Sequence, residues 1–114
     1  MGKRENKEMM AYVADQLSDL EDFRYIPMMG GYICYYDDRI FGGIYESGEL
    51  LIKDTETARR YMPDSYLALP YEGAGEMLVC TILDNRQELQ EMIREMWQEL
   101  PARKTRKKKG GCNE

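Results

Sequence analysis

The sequence predicts an α+β domain of two layers, in which an antiparallel sheet of about five strands carries an N-terminal and a C-terminal helix on one face. Aromatic and β-branched residues alternate with short polar turns from residue 23 to residue 53, as in an antiparallel meander. Apolar residues recur at helical spacing on both sides of this region. The order of helix, four strands, short helix, strand and long helix lacks alternating β-α-β units, which indicates an α+β fold.

The first helix is predicted from residue 6 to residue 20. Its acidic residues, including Glu8 and Asp15, fall on the side opposite to an apolar stripe. The stripe comprises Met10, Val13, Ala14, Leu17 and Leu20. A helix with this pattern packs its stripe against the sheet.

Strands are predicted at residues 23–26, 31–36, 39–46, 49–53 and 77–83. Pro27 cannot donate to a central ladder, so the first strand either stops there or lies at the sheet edge. Asp37 and Asp38 form a tight turn between the second and third strands. Gly42 and Gly43 predict either a bulge or a helix packed close against the backbone of the third strand.

A short helix is predicted from its N-cap, Thr55, to Met62. The closing helix is predicted to begin at the N-cap Asp84, with Gln87 as the capping-box partner, and to stop at Pro101. Its apolar positions recur with the spacing of a buried helical face. They are Leu89, Met92, Ile93, Met96, Trp97 and Leu100.

The chain of 114 residues is predicted to contain one domain, residues 1–101, followed by a disordered basic tail, residues 102–114. Residues 1–100 carry ten basic and twenty acidic side chains, whereas residues 101–114 carry six basic side chains and one acidic side chain. The predicted domain is therefore acidic and its tail is basic.

The composition excludes several classes of catalytic site. The sequence contains no histidine, which removes Ser-His-Asp and Cys-His schemes and the usual zinc ligand sets. The acidic pairs at 21–22 and 37–38 could act as metal ligands or as an acid/base pair, but their positions favour turn chemistry. Gly30 and Gly31 lead into a strand and favour a structural turn over a phosphate loop. Carboxylate-only and lysine-based catalysis stay open on composition, and the acidic pairs are expected to hold no metal.

Four motifs follow one another in the strand region: Met28-Met29-Gly30-Gly31-Tyr32, Asp37-Asp38, Phe41-Gly42 and Leu50-Leu51-Ile52-Lys53. With these motifs the region closely resembles the N-terminal domain of the TfoX (Sxy) family of competence regulators, and the resemblance covers about residues 8–100. The chain departs from the family pattern in having Met29 in place of the usual Phe and no Gly in the turn at 37–38. No counterpart of the C-terminal TfoX domain is expected in this sequence.

The resemblance implies a stand-alone, non-enzymatic domain that takes part in transcriptional or competence regulation. It also implies the absence of catalytic residues and cofactors. Such a domain would act through a protein partner.

Two helices cover only one face of the predicted sheet, so the other face is expected to be half-exposed or covered by a partner. Ile33 and Tyr35 point to one face of the second strand, and Tyr32, Cys34 and Tyr36 point to the other. A homodimer through the uncovered face is one hypothesis. Tyr32 and Tyr36 are candidate interface residues.

The loop after the short helix is rich in Tyr, Pro and Gly. Tyr61, Tyr66 and Tyr71 could line a protein-recognition groove, or they could pack the loop down on itself. A third hypothesis is a small-ligand protein or enzyme with a pocket around residues 61–75.

The basic tail is a candidate for weak, salt-dependent nucleic-acid binding, because clustered cations pair with phosphates. The alternative is a solubilising tail, or one that folds back onto the acidic domain. The candidate contact residues are Arg103, Lys104, Arg106, Lys107, Lys108 and Lys109.

No apolar run reaches the length needed to span a bilayer, and the charged N-terminus has no secretory signal pattern. We therefore predict a cytoplasmic protein without a membrane partner. Its three cysteines, Cys34, Cys80 and Cys112, are predicted to be reduced.

Overall fold

A computed structural model describes residues 3–28, 30–45 and 47–100 and confirms the predicted α+β fold. Predictions for Met29, for Glu46 and for residues 101–114, including Cys112, lie outside the described residues. The helices are α1 (Lys3–Gln16), α2 (Glu56–Tyr61) and α3 (Arg86–Met96), and a 3₁₀ turn, Trp97–Glu99, follows α3. The strands are β1 (Phe23–Met28), β2 (Gly31–Tyr36), β3 (Arg39–Ile44), β4 (Leu50–Ile52), β5 (Leu67–Ala68) and β6 (Met77–Val79).

The six strands form one sheet in the order β1-β2-β3-β4-β6-β5, and every neighbouring pair is antiparallel. The sequence predicted about five strands, and the additional strand is β5, inside the predicted loop. β5 has only two residues and lies close to Pro70, so it lacks the alternating run of about four residues by which a strand is recognised. β6 is also shorter than predicted: it ends at Val79, whereas the predicted strand extended to residue 83.

β1 continues through Pro27 to Met28 and pairs only with β2. The prediction of an edge position for this strand is therefore confirmed. An edge strand tolerates proline because the missing N–H can face away from the ladder.

A β-bulge lies between β2 and β3. Cys34 pairs with Gly42 and Tyr35 pairs with Ile40, so Phe41 is the additional residue in β3. The bulged residue is fully buried in the core. Of the two alternatives predicted from the paired glycines, the structure contains the bulge.

Gly42 and Gly43 allow the neighbouring strands to approach the backbone of β3. A Cβ atom at Gly42 would lie 2.1 Å from the carbonyl oxygen of Leu51. A Cβ atom at Gly43 would lie 2.4 Å from the carbonyl oxygen of Tyr32 and 2.9 Å from the hydroxyl of Tyr45. Backbone and one tyrosine ring thus occupy the space that side chains at these positions would need.

The three helices pack on one face of the sheet and bury a cluster that we call the helix-side core. Tyr32 and Tyr36 pack against this cluster and are half-buried, whereas Ile33 and Tyr35 face the other side. The predicted alternation of β2 is therefore confirmed. The largest fully buried members of the helix-side core are Met10, Leu17, Phe41, Ile44, Leu50, Ile52, Met62, Leu89, Met92, Ile93 and Met96.

The N-cap of α2 is Thr55, as predicted, and its side chain accepts a hydrogen bond from the amide of Ala58. The N-cap of α3 is Asn85, and the predicted cap at Asp84 is wrong. The Asn85 side chain accepts from the amide of Glu88 at 3.1 Å, whereas Asp84 accepts the hydroxyl of Tyr12 at 2.5 Å. Both residue types are good N-caps, so a contact with another helix decides between them.

α1 ends at Gln16, four residues before the predicted end. Leu17 and Leu20 are nevertheless buried, because a turn closed by the hydrogen bond from the Leu20 amide to the Leu17 carbonyl continues the apolar stripe. Polar side chains connect this end of α1 to α3. The Gln16 side chain donates to the Leu83 carbonyl at 2.7 Å, and the buried Gln90 side chain donates to the Gln16 carbonyl at 2.8 Å.

Glu99 anchors the N-terminus of α2 to the end of the closing helix. One carboxylate oxygen accepts from the amide of Thr57 at 3.2 Å, and the other accepts the Thr57 hydroxyl. These hydrogen bonds, the side-chain one foremost, lower the pKa of Glu99. Thr57 is buried, so these hydrogen bonds connect a buried residue of α2 to the exposed carboxylate of Glu99.

Among the described residues, no helix has the length and apolar character that a membrane crossing requires.

We predict that Gly42→Ala lowers the free energy of unfolding by about 1–3 kcal/mol, because a methyl group cannot escape a backbone oxygen by changing rotamer. Chemical denaturation measures the change. Gly75→Ala is the matched control, since no heavy atom lies within 4 Å of a Cβ at Gly75. This control should change the stability by less than about 0.5 kcal/mol. Equal effects of the two variants would contradict the close approach of β3 and β4.

A second prediction concerns the dependence of stability on pH. Because the folded pKa of Glu99 is depressed, its contribution is present above the unfolded pKa, ordinarily 4.5, and is lost as the pH falls through the folded pKa. Glu99→Gln should therefore flatten the loss of stability on acidification below this value. Denaturation midpoints measured from pH 6 to pH 3, a span of about three units around the carboxylate range, check this.

Thr57→Val serves as the partner variant in a double-mutant cycle. If Thr57 and Glu99 act as a pair, Thr57→Val alone should also flatten the loss of stability on acidification, and it should have little further effect in the Glu99→Gln background. Additive effects of the two substitutions would show that Thr57 does not hold the carboxylate.

Candidate protein-interaction surface

The outer edge of β5 presents backbone groups that no strand of the described chain pairs with. The Val79 amide donates to the Tyr66 carbonyl at 3.0 Å, on one side of the Leu67–Leu78 pair. This position of the hydrogen bond marks Leu67 and Leu78 as a non-hydrogen-bonded antiparallel pair. The N–H and C=O of Leu67 therefore point away from β6, towards the free edge.

Apolar side chains surround this edge and are exposed to solvent. The exposed fractions are 59% for Tyr66, 40% for Leu67, 55% for Leu69 and 51% for Tyr71. The segment 65–71 contains no charged residue, although 32% of the residues in the chain are charged. An uncharged apolar strand edge is a template for pairing with another strand, and natural proteins commonly cover such edges or charge them. We call residues 65–71 the β5 edge.

The opposite edge of the sheet offers few donors for strand addition. The amide of Asp37 donates to the carbonyl of Asp22, which marks Phe23 and Tyr36 as a non-hydrogen-bonded pair. By alternation, the outward positions of β1 are Phe23, Tyr25 and Pro27, and Tyr25 keeps an outward N–H. The Phe23 amide donates to the carbonyl of Leu20 at 3.2 Å, and Pro27 has no N–H. The exposed side chains of β1 therefore lie along a ladder edge that is poor in donors.

The face without helices is partly covered by the chain itself. Leu51, Met77 and Val79 form a second cluster on this face, which we call the open-side cluster, and they are 1%, 6% and 6% exposed. Tyr45 packs against this cluster, and its ring lies 6.2 Å from the ring of Tyr71. Burial raises the pKa of Tyr45 to about 12.

The expectation that the face without helices is half-exposed or covered by a partner is therefore wrong for its β4–β6 half. The cover consists of Tyr45, which occupies the space above Gly43, and of Ala68, while Tyr71 from the loop after β5 contacts the ring of Tyr45. Towards β1, Ile26 and Met28 remain exposed. Cross-strand pairing places both on the same face as Ile33.

The five tyrosines that the sequence singled out do not share one surface. Tyr32 and Tyr36 lie on the helix-side core, away from the face without helices. Tyr61 also packs against that core and donates its hydroxyl to Glu95 at 2.6 Å, a hydrogen bond that raises the pKa of Tyr61 to about 12. Tyr66 and Tyr71 flank β5. The interface role remains a prediction for each of them, and the geometry favours Tyr66 and Tyr71.

The two acidic pairs lie together at the end of the β1–β2 hairpin. They line a polar depression of about 220 Å³ with Phe23 and Arg24, outside the predicted 61–75 region. Asp37 and Asp38 have φ angles of 47° and 69°, as both central residues of a type I′ hairpin turn require. Arg24 pairs with Asp38 at 3.2 Å. Each of these contacts belongs to turn chemistry or to a surface ion pair.

Within the parts of the chain that the structure describes, no group of three or more His, Cys, Asp and Glu side chains could hold a metal ion. Burial raises the pKa of the Cys34 thiol to about 12. Burial is also the main cause that raises the pKa of the Cys80 thiol to about 11. Neither thiol is activated as a nucleophile. The six predicted nucleic-acid contacts of the basic tail lie outside the described residues.

Sequence reasoning did not identify Leu67, Leu69 and Tyr45 as surface or covering residues. A signal for the two leucines exists, because both lie in residues 65–71, the longest uncharged part of the predicted loop. A weaker signal for Tyr45 is its position two residues after Gly43, since an aromatic ring often covers a glycine in a sheet.

Comparison with known proteins places the chain in a family. No protein-family model and no solved structure matches it. The chain is 30% identical over 100 residues to an uncharacterised 12.7 kDa protein in the trpE 5′ region of Spirochaeta aurantia, and the match covers 87% of this chain and 86% of that protein. The chain belongs to the same family as this spirochaete protein.

Proposed function

We propose that the chain is a non-enzymatic protein-interaction domain that binds its partner through the β5 edge. The observation that carries this proposal is the outward N–H and C=O of Leu67 within an exposed, uncharged strand edge. Strand addition uses such groups for affinity and uses the alternating side chains for selectivity. Exposed tyrosine and leucine side chains supply the apolar contact area.

The proposal assigns the domain a TfoX-like role in transcriptional or competence regulation, exerted through protein contacts. The support for this role is the resemblance of the strand motifs in residues 28–53 to the TfoX N-terminal domain. The order of helix, meander and closing helix is compatible with it. The exposed part of the β5 edge carries no ionisable side chain other than the tyrosines, which suits binding better than proton transfer.

A photo-crosslinking amino acid placed at Leu69 tests the proposed surface in cells that express the full chain. We expect a specific adduct with a protein, because the exposed Leu69 side chain borders the strand edge. The same probe at Ile26 tests the rival surface on β1, and the probe at the exposed Gln98 is the neutral control. An adduct from Ile26 with none from Leu69 would contradict the assignment to the β5 edge.

A second candidate function is nucleic-acid binding by the basic tail. The observation in its favour is the charge contrast between the acidic residues 1–100 and the basic residues 101–114. Cations that neutralise phosphates release counterions, so binding would be weak, independent of sequence and sensitive to salt. This mode requires no groove on the domain.

Deletion of residues 102–114 should abolish binding to a DNA duplex at low salt, because the remaining domain is acidic. For the full chain, the slope of log K against log salt should not exceed about 5, at about 0.9 for each of six cations. A variant with glutamine at all six basic tail positions keeps the tail length and should behave like the deletion. Unchanged DNA binding by either variant would dispose of this function.

A further inference from the structure

We infer that the partner of the β5 edge is a second copy of this chain, joined by antiparallel β5–β5′ pairing about a two-fold axis at Ala68. This inference rests on the proposed function of the edge. It makes the two six-stranded sheets continuous across the dimer. The argument uses the backbone direction, the position of Pro70, the side chains and the charge of the edge.

The backbone of the edge is complementary to itself. Leu67 turns its N–H and C=O outward, and alternation turns the same groups of Ala68 inward, towards its partner Met77. Leu69 precedes Pro70, which favours extended backbone at Leu69, so continuing the alternation of β5 by one residue would turn its N–H and C=O outward again. Two outward residues separated by one inward residue match a second copy of themselves in the antiparallel sense.

Pairing about Ala68 sets Leu67 opposite Leu69 of the second copy, twice by symmetry. Each of these two pairs exchanges an N–H and a C=O, so the interface gains about four backbone hydrogen bonds. The same register places Pro70 opposite Tyr66, whose carbonyl already accepts from Val79. The N–H that Pro70 lacks therefore falls where the intermolecular ladder requires no donor.

The side chains fit the same arrangement. Leu67 faces the helix side together with its partner Leu78, and alternation places Leu69 on that side as well. In the dimer, four leucines from two copies would meet on one face. Residues that lie directly opposite each other on an antiparallel pair of strands have Cβ atoms about 5 Å apart. At that distance, Leu67 and Leu69 of the second copy would bury part of each other's surface.

Charge selects this site among possible self-contacts. Residues 1–100 carry twice as many acidic as basic side chains, so the net charge of the domain disfavours its approach to a second copy. The segment 65–71 is uncharged and escapes this repulsion. Because β5 is short, the interface is small, and the dimer is expected to belong to the weak class of interfaces.

Sedimentation of the full chain tests the inference over a range from about 5 µM to about 500 µM, which covers the affinities of a small interface. We expect a reversible monomer–dimer equilibrium. The double variant Leu67→Glu/Leu69→Glu places like charges opposite each other and should weaken the dimer at least about tenfold. The exposure of both leucines allows these substitutions without loss of the fold, and circular dichroism verifies the fold.

A charge-swap variant tests the register. In Leu67→Lys/Leu69→Glu, pairing about Ala68 sets each Lys opposite a Glu and should restore the dimer. Pairing about Leu67 would set Lys against Lys, and that variant would stay monomeric. A dimer lost in the Glu/Glu variant and regained in the Lys/Glu variant supports the inference.

Three outcomes would overturn the inference. They are a wild-type monomer at every concentration, a dimer that survives the Glu/Glu variant, and a dimer that the Lys/Glu variant does not regain. The crosslinking probe at Leu69 separates this failure from failure of the proposed function. If the chain is monomeric but Leu69 forms an adduct with a different protein, the edge binds a partner other than itself. If the chain stays monomeric and Leu69 forms no adduct, the β5 edge is not an interaction surface.

Discussion

Burial of one sheet face beneath the helices is the constraint on which the rest of the structure depends. α1, α2 and α3 share a single apolar core with the inner residues of β2, β3, β4 and β6. The bulge at Phe41 and the glycine beside it bring the strands close enough to complete that core. All the helices lie on one side of the sheet. Short segments of the chain must therefore cover the apolar side chains of the other face and block the unpaired backbone groups at the two edges.

The face without helices, the β1 edge and the β5 edge differ in how far they are covered. Tyr45 and Ala68 cover the β4–β6 half of the face without helices, and Tyr71 contacts Tyr45. Pro27, together with the turn that binds the Phe23 amide, removes two of the three outward donors of the β1 edge. The β5 edge keeps the outward backbone groups of Leu67 and surrounds them with apolar side chains. We propose binding at β5 because its edge is uncharged, whereas the β1 edge contains Arg24 and keeps only one of its three outward donors.

Sequence periodicity predicted the elements that are long enough to show a pattern. The apolar stripes of α1 and α3, the alternation of β2 and the turn at 37–38 all depend on residues close together in the sequence. Features that depend on distant residues escaped prediction. The cap at Asn85 is decided by the contact of Asp84 with Tyr12, which lies on α1.

The candidate site was predicted in part for the same reason. Tyr66 and Tyr71 were recognised by residue type, whereas Leu67 and Leu69 matter through a strand of two residues whose pairing with β6 sets the direction of their backbone groups. Tyr32 and Tyr36 could not be assigned to the covered face until the helices were placed. A surface built on backbone direction leaves only a weak trace in the sequence.

Amide hydrogen exchange at Leu67 and Ala68 tests the central claim most directly. The account predicts that, in dilute protein, the Ala68 amide is protected by its place in the ladder with β6, whereas the Leu67 amide exchanges rapidly. In concentrated protein the Leu67 amide should become protected as well. A Leu67 amide that exchanges rapidly at every concentration, or one already protected in the dilute monomer, would contradict the account.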